Sequence, residues 1–195
     1  MMLIIGLTGS IAMGKSEAAR ILADYGLSVF DSDAEVHKLY DSEEGARLIA
    51  PFVPEATRNN KVDREIVAEA VLTDRVLLSN IEKVVHAEIR RRQQAFIKLV
   101  KQQKSKAVVL DIPLLFETAP QNDFDKTIVI SSDATIQKKR ALARPNVTLE
   151  RLAMILARQM PDREKRMMAD VVIENNGSVA ELKTKLLDLM QKWGI

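Results

Sequence analysis

Short apolar runs, rich in β-branched residues, alternate with longer helical patterns along the chain. Five of these runs are bounded by turn or polar residues and predict buried strands at residues 3–7, 27–30, 107–110, 127–130 and 171–173. Helical patterns follow the first and last runs, at 17–24 and 179–192, and Ser178 is placed to cap the second. Strands that alternate with helices predict an α/β fold with three layers around a doubly wound, five-stranded parallel sheet.

Two longer stretches interrupt this alternation. Residues 33–104 contain several helical segments, the last a long one at about 75–103, and no convincing strand. Residues 138–167 form a shorter insertion between the fourth and fifth predicted strands. We therefore predict one domain, 1–195, with its core in 1–32, 105–137 and 168–195. In this interpretation 33–104 is a helical substrate-binding insertion and 138–167 is a helical lid.

Composition excludes several classes of protein. Hydrophobic residues make up 47% and charged residues 29%, as in ordinary globular proteins. There is no cysteine and there are two histidines, which excludes disulfides, thiolate metal sites and histidine-rich metal centres. Aromatic residues make up 4% and the net charge is +2, so we expect no nucleic-acid partner.

The apolar runs also bear on location. None is long enough to cross a bilayer, and the first leads directly into a glycine-rich turn rather than into a signal-peptide pattern. We therefore expect a cytoplasmic protein with no membrane partner. For its assembly we expect a monomer that self-associates weakly at most.

A glycine-rich turn follows the first predicted strand. Residues 9–16 read GSIAMGKS and fit the pattern G-x-x-x-x-G-K-[ST], whose backbone N–H groups cradle phosphates at the start of a helix. The lysine of such a loop places a point charge on the β- and γ-phosphates, and its serine hydroxyl is a ligand of Mg²⁺. ATP and Mg²⁺ are the implied cofactors. The residues expected at the nucleotide are Gly9, Ala12, Met13, Gly14, Lys15 and Ser16.

Acidic residues follow the second and third predicted strands. Asp31 and Asp33 come after the second strand, where a carboxylate can accept the proton of an attacking hydroxyl, help to hold Mg²⁺ through water, or cap the next helix. Their spacing alone does not choose between them. Asp111 follows the third strand, where phosphate-loop enzymes commonly place a carboxylate that organises Mg²⁺. In Leu114, Leu115 and Phe116, which come next, the pattern favours core packing over contact with an apolar part of a substrate.

The predicted lid is basic. Residues 138–166 contain nine Lys or Arg and three acidic residues, although the whole chain carries only +2. Such a segment can neutralise phosphates or can be an ordinary solvated helix face. Arg140 and Arg144 are the strongest candidates for phosphate contact, because their i, i+4 spacing puts them on one face of a predicted helix.

Together these segments resemble the dephospho-CoA kinase family, which phosphorylates 3′-dephospho-CoA in the last step of coenzyme A synthesis. The resemblance spans nearly the whole chain. Residues 5–16, IGLTGSIAMGKS, are similar to the family's phosphate loop, and DSD at 31–33 is similar to its D-A-D. DIPLLFE at 111–117 matches D-x-P-L-L-x-E, which is more specific than a phosphate loop. RQM at 158–160 and ADVVIENNG at 169–177 are similar to the remaining family motifs.

The resemblance implies a P-loop NTPase fold, a reaction and roles for particular residues. ATP would phosphorylate the ribose 3′-hydroxyl of dephospho-CoA, with Asp33 as the catalytic base and Lys15 and Arg140 as catalytic cations. The nucleotide site would include Glu17, Arg140 and Asn175, and Ser16 would hold the metal. The residues implied at the dephospho-CoA site are Asp33, His86, Arg90, Asp111, Leu114, Leu115 and Glu117.

Four positions depart from the family pattern, one of which is Pro145, where the lid helix of many members continues. Ala12 replaces a glycine, and because alanine disfavours positive φ we expect ordinary backbone dihedrals there. Glu17 adds a negative charge beside the loop, and Ala87 follows His86 where the family has proline. Two other hypotheses remain at this point. One is another small-molecule kinase with a phosphate loop, and the other is a nucleotide-binding switch that has no small acceptor.

Overall fold

A computed structural model describes residues 2–118 and 123–195 of the chain. Contacts divide the chain into two compact units. The first comprises Met1–Phe30 and Leu99–Ile195, and the second comprises Asp31–Lys98. The second unit covers most of the predicted insertion 33–104, and the grouping of all 195 residues into one domain stays a prediction.

Strands occur at every place where a buried apolar run predicted one. In chain order they are β1 (Leu3–Thr8), β2 (Ser28–Asp31), β3 (Thr57–Arg58), β4 (Lys61–Val62), β5 (Ala107–Asp111), β6 (Lys126–Ser131) and β7 (Val171–Glu174). Five of them form one sheet in the order β2-β5-β1-β6-β7, and the predicted doubly wound α/β fold is confirmed. The two short strands β3 and β4 form a separate hairpin that the sequence analysis missed.

Helices fill the intervals between the strands. They are α1 (Lys15–Asp24), α2 (Ser32–Tyr40), α3 (Glu43–Ile49), α4 (Arg64–Leu72), α5 (Arg75–Gln102), α6 (Leu115–Thr118), α7 (Ala134–Leu142), α8 (Leu149–Arg158), α9 (Asp162–Met168) and α10 (Val179–Lys192). The long α5 and the terminal α10 agree with the periodic patterns that predicted them. At the start of α10, Ser178 and Glu181 form a reciprocal capping box, which confirms Ser178 as the cap.

The core of the first unit lies around β1, the central strand of the sheet. β1 pairs in parallel with β5 on one side and with β6 on the other. Apolar side chains of these strands pack with those of α1 and α10, and Ile5, Leu22, Ile128 and Leu186 have no exposed surface. The carboxyl ends of β1, β5 and β6 therefore lie next to one another, where open α/β sheets bind ligands.

The second unit is held partly by charged side chains. Glu88 lies on α5 and accepts hydrogen bonds from Arg91 and Arg92, which also reach Glu44 on α3. The hydrogen bond from Arg91, followed by the one from Arg92, holds the pKa of Glu88 below its usual range, although partial burial acts in the opposite direction. Part of the basic run at 90–92 therefore has a structural role.

A two-residue turn explains the hairpin that was missed. Asn59 and Asn60 join β3 to β4 with φ values of 50° and 59°. Left-handed dihedrals at both central residues are typical of a hairpin turn, and asparagine tolerates them better than most residues. Each flanking strand has only two residues, which is too short for an alternating pattern to stand out.

The predicted lid consists of three short helices rather than one long one. α7 ends at Leu142, so Arg144 lies beyond the helix and the expectation that Arg140 and Arg144 share one helical face is wrong. Pro145 follows directly, and the residue before a proline is disfavoured in the helical region. Among the described residues, none of the helices is long and apolar enough to span a bilayer.

Candidate active site

The glycine-rich loop connects β1 to α1, as the phosphate-loop interpretation requires. Gly14 caps α1 with φ 100°, a conformation that side chains rarely adopt, and a Cβ there would lie 2.1 Å from the Asn175 Nδ2. At Gly9 a Cβ would lie 2.5 Å from the carbonyl oxygen of Ile130. Neither position has room for a side chain, so both glycines are required. α1 directs its N-terminal end toward the loop.

Lys15 is paired with a buried carboxylate at the end of the neighbouring strand. Its Nζ lies 2.5 Å from the Asp111 Oδ1, and the two side chains are 13% and 2% exposed. β1 and β5 are adjacent in the sheet, which brings the loop after β1 beside the last residue of β5. The pair fixes a positive charge at the base of the loop, where a phosphate group would be bound.

Ala12 contradicts the expectation of ordinary dihedrals. Its φ is 62°, in the left-handed region, and it is 5% exposed. Its neighbours in a small apolar cluster are Ala141 of α7 and Leu152 of α8. A left-handed residue other than glycine costs about 1–2 kcal/mol, and burial of one methyl group returns about 0.8 kcal/mol. Packing against these helices thus offsets much of the strain.

The first turn of α1 carries two of the predicted nucleotide residues. Ser16 is exposed there, and Glu17 is bound by both arms of Arg20, with Nη2 and Nε at 2.5 and 3.1 Å from its carboxylate oxygens. The hydrogen bond from Arg20 holds the pKa of Glu17 below its usual value. Arg20 therefore neutralises the extra charge that the sequence places next to the loop.

Asn175 and Arg140 connect the loop to the segment after β7. The Asn175 Nδ2 donates to the carbonyl of Met13 at 2.9 Å, and Asn175 is 7% exposed. Arg140 on α7 donates to the carbonyl of Asn175 at 2.8 Å and lies 3.5 Å from that of Gly177. Asn175 thus contacts the phosphate loop directly, and Arg140 is held beside it through Asn175.

Asp170 precedes Asn175 in the motif at 169–177 and has a structural role. Its Oδ2 accepts hydrogen bonds from the backbone N–H and the hydroxyl of Thr127, both at 2.8 Å. Burial raises the pKa of Asp170, but the hydrogen bonds from Thr127 outweigh this, and the pKa lies below its usual range. Asp170 thereby fixes the start of β7 beside β6.

The predicted substrate residues that follow β5 differ from one another in burial and in contacts. Leu115 is fully buried, and its Cδ1 would lie 2.5 Å from a Cβ at Gly6, so it belongs to the core. Leu114 is partly exposed. The carboxylate of Glu117 accepts a hydrogen bond from the backbone N–H of Met160 at 2.7 Å and also faces Lys165.

Lys165 is a buried charged residue that the sequence analysis did not single out. It has no exposed surface, although it lies in the basic run of the lid. Its Nζ lies 2.9 Å from the Glu117 Oε1 and donates to the carbonyl of Pro113 at 3.1 Å. The hydroxyl of Thr8 donates to the same carbonyl at 3.0 Å, so Lys165 connects α9 to the loops that follow β1 and β5.

Breaking this buried pair should destabilise the protein. Lys165→Met removes the ammonium and leaves the Glu117 carboxylate largely buried, so we expect the free energy of unfolding to fall by about 3 kcal/mol. Lys139→Met removes the same charge from an exposed position on α7 and should cost less than about 0.5 kcal/mol. Urea denaturation measures both. Equal stability of the two variants would contradict a structural role for Lys165.

The remaining predicted residues lie in the second unit. Asp31 caps α2, because its Oδ1 accepts a hydrogen bond from the backbone N–H of Ala34 at 2.9 Å. Asp33 lies in the first turn of α2 and is exposed, as are His86 and Arg90 on α5. Both aspartates are exposed, and the structure distinguishes them by the capping bond that Asp31 alone makes to α2.

Among the described residues, few side chains in this arrangement could serve as ligands of a metal ion. Within residues 2–118 and 123–195, no three His, Asp or Glu side chains form a group that could hold a metal ion. Mg²⁺ in kinase sites is held by one or two protein oxygens together with substrate phosphates and water. The Ser16 hydroxyl and the Asp111 carboxylate are oxygen donors of that kind, so the residues present fit such an ion.

Comparison with known proteins identifies the family. The sequence model of the dephospho-CoA kinase family matches residues 3–181. The chain belongs to this family. A dephospho-CoA kinase of Agrobacterium fabrum is 41% identical over 194 residues, covering 100% of both chains.

Solved structures agree with this assignment. A crystallised protein of Thermus thermophilus shares 31% identity with a TM-score of 0.83, over 98% of this chain and 97% of its own. Dephospho-CoA kinase from Campylobacter jejuni shares 28% identity with a TM-score of 0.74, over 98% and 97%. The resemblance stated for the sequence is confirmed, and the fold is that of a P-loop kinase.

Proposed function

We propose that this protein uses ATP to phosphorylate the ribose 3′-hydroxyl of 3′-dephospho-CoA, giving coenzyme A and ADP. The observation that carries the proposal is the Lys15–Asp111 pair, at 2.5 Å, at the base of a phosphate loop in a dephospho-CoA kinase sequence. A kinase needs a fixed cation beside the phosphates, and Lys15 supplies one. The family to which the chain belongs is named for its acceptor, dephospho-CoA.

Residues of the chain divide the chemistry between them. The backbone of residues 9–16 would bind the phosphates of ATP, and Lys15 would stabilise the charge that develops between the β- and γ-phosphates. The hydroxyl oxygen of dephospho-CoA attacks the γ-phosphorus, its proton passes to the Asp33 carboxylate, and ADP leaves. The family resemblance assigns this role to Asp33, and the use of the Asp31 Oδ1 as a helix cap supports that choice.

Other predicted residues would bind the two substrates. Arg140 and Asn175 adjoin the loop and would contact ATP, and Glu17 would lie beside its phosphates with its charge balanced by Arg20. His86, Arg90 and Leu114 would contact dephospho-CoA. Leu115 and Glu117 would support the site without contacting dephospho-CoA, because Leu115 lies in the core and Glu117 is paired with Lys165.

Ser16 and Asp111 would hold Mg²⁺, Asp111 through water. The ion neutralises phosphate charge when it is bound. We also propose that the reaction takes place in the cytoplasm and that the active form is a monomer.

An acceptor panel tests the function. The protein is given ATP and Mg²⁺ with dephospho-CoA, AMP, shikimate or no acceptor, and ADP formation is followed. We expect acceptor-dependent ADP only with dephospho-CoA. Equal rates with AMP or shikimate would favour another small-molecule kinase, and ADP formation that no acceptor accelerates would favour a nucleotide-binding switch.

A further inference from the structure

Two glutamine side chains hold the tip of the phosphate loop from opposite sides. The backbone N–H of Ile11 donates to the Gln159 Oε1 at 3.1 Å, and the Gln137 Nε2 donates to the carbonyl of Ile11 at 2.9 Å. A backbone N–H can only donate and a carbonyl can only accept. The two amides must therefore present opposite ends, oxygen from Gln159 and nitrogen from Gln137.

These glutamines belong to the helices that follow β6. Gln137 lies on α7 and is 8% exposed, and Gln159 is the C-cap that directly follows α8. The next loop residue, Ala12, packs against Ala141 of α7 and Leu152 of α8. Polar and apolar contacts from the same two helices thus meet at residues 11–12, and Ala12 keeps its left-handed conformation there with φ 62°.

A phosphate cradle is effective when its N–H groups are oriented before the nucleotide arrives, because no binding energy is then spent on ordering them. We propose that Gln137 and Gln159 are positioning residues that hold residues 11–12 in the phosphate-binding conformation, so that ATP affinity depends on the packing of α7 and α8 against the loop. This inference rests on the proposed function only in taking residues 9–16 as the ATP site.

The opposite polarity of the two bonds gives a sharp test. Gln159→Glu keeps an oxygen acceptor for the N–H of Ile11, whereas Gln137→Glu replaces the donor with a carboxylate facing the carbonyl of Ile11. Both variants add the same charge. We expect the KM for ATP to rise about threefold or less for Gln159→Glu and about twentyfold for Gln137→Glu, with the KM for dephospho-CoA changed less than twofold in both.

Matched variants separate positioning from charge and from folding. Gln159→Met and Gln137→Met each remove one hydrogen bond at similar volume and should raise the KM for ATP about fivefold. Gln191→Glu adds the charge at an exposed position on α10 and should leave the KM for ATP unchanged. Equal effects of glutamate at 137 and 159 would overturn the proposal, as would a fall of more than about 10 °C in melting temperature in both methionine variants.

Exchange of the Ile11 amide proton, followed by NMR without nucleotide, tests the contact independently of activity. Gln159→Met should speed this exchange about fivefold, and Gln159→Glu should restore slow exchange. Unchanged exchange in Gln159→Met would overturn the proposal even if the enzyme were active. If the wild-type protein did not bind ATP, the proposed function would be wrong. The exchange result would still test the hydrogen bond between Ile11 and Gln159.

Discussion

Replacing Lys15 with methionine is expected to lower turnover by about 10³-fold, because a fixed charge directed at the transferring phosphoryl group is lost. The same change should destabilise the fold. The Asp111 side chain is 2% exposed and would lose its ammonium partner at 2.5 Å. Removing one member of such a pair costs about 3 kcal/mol. Steady-state ADP formation and urea denaturation measure the two effects.

Lys15→Arg separates these two roles. Arginine keeps a positive charge beside Asp111, so most of the lost stability should return, but its planar fork differs from a compact ammonium and turnover should stay well below wild type. Turnover of Lys15→Met within tenfold of wild type would contradict the assignment of Lys15 to the phosphates. Unfolding free energies that are equal in Lys15→Met and wild type would contradict a stabilising role for the pair.

The parts of the fold that could be predicted from sequence are those that local patterns determine. A run such as residues 107–110 is apolar on both faces, and this pattern is typical of a buried interior strand such as β5. Ser178 and Glu181 lie three residues apart and form a capping box without help from the rest of the chain. The phosphate loop also depends on local glycines, of which Gly14 has the positive φ that the motif requires.

The features that were missed depend on contacts between distant parts of the chain. Lys165 has the same sequence signal as its solvated neighbours, and it is buried because Glu117 and Pro113, about fifty residues earlier, supply its partners. Ala12 has a positive φ at a position where the family has glycine, and its methyl group packs against α7 and α8, a contact that the loop motif does not encode. Gln159 was visible only as part of a family motif, and its contact with Ile11 gives that motif a physical role.

The distinction between Asp31 and Asp33 illustrates what side-chain geometry adds. Spacing treats the two aspartates alike, since one is the last residue of β2 and the other lies two residues later. The hydrogen bond from Ala34 to Asp31 identifies one of them as a helix cap, and Asp33 remains exposed in the first turn of α2. The structure thus separates the two residues by one capping bond, and Asp33 as the base stays a proposal made from the family resemblance.

Asp33→Asn is therefore expected to lower turnover by about 10²-fold or more, with ATP affinity nearly unchanged, because asparagine cannot take the proton of the attacking hydroxyl. Asp31→Asn is the matched control. It removes the same charge two residues away. Asparagine caps helices as well as aspartate does, so the free energy of unfolding should be nearly unchanged and turnover should stay within about twofold of wild type. Rates with dephospho-CoA and calorimetric titration with ATP measure both variants. If Asp31→Asn lost more turnover than Asp33→Asn, the base would be Asp31, which could take the proton on Oδ2 while Oδ1 keeps the capping bond.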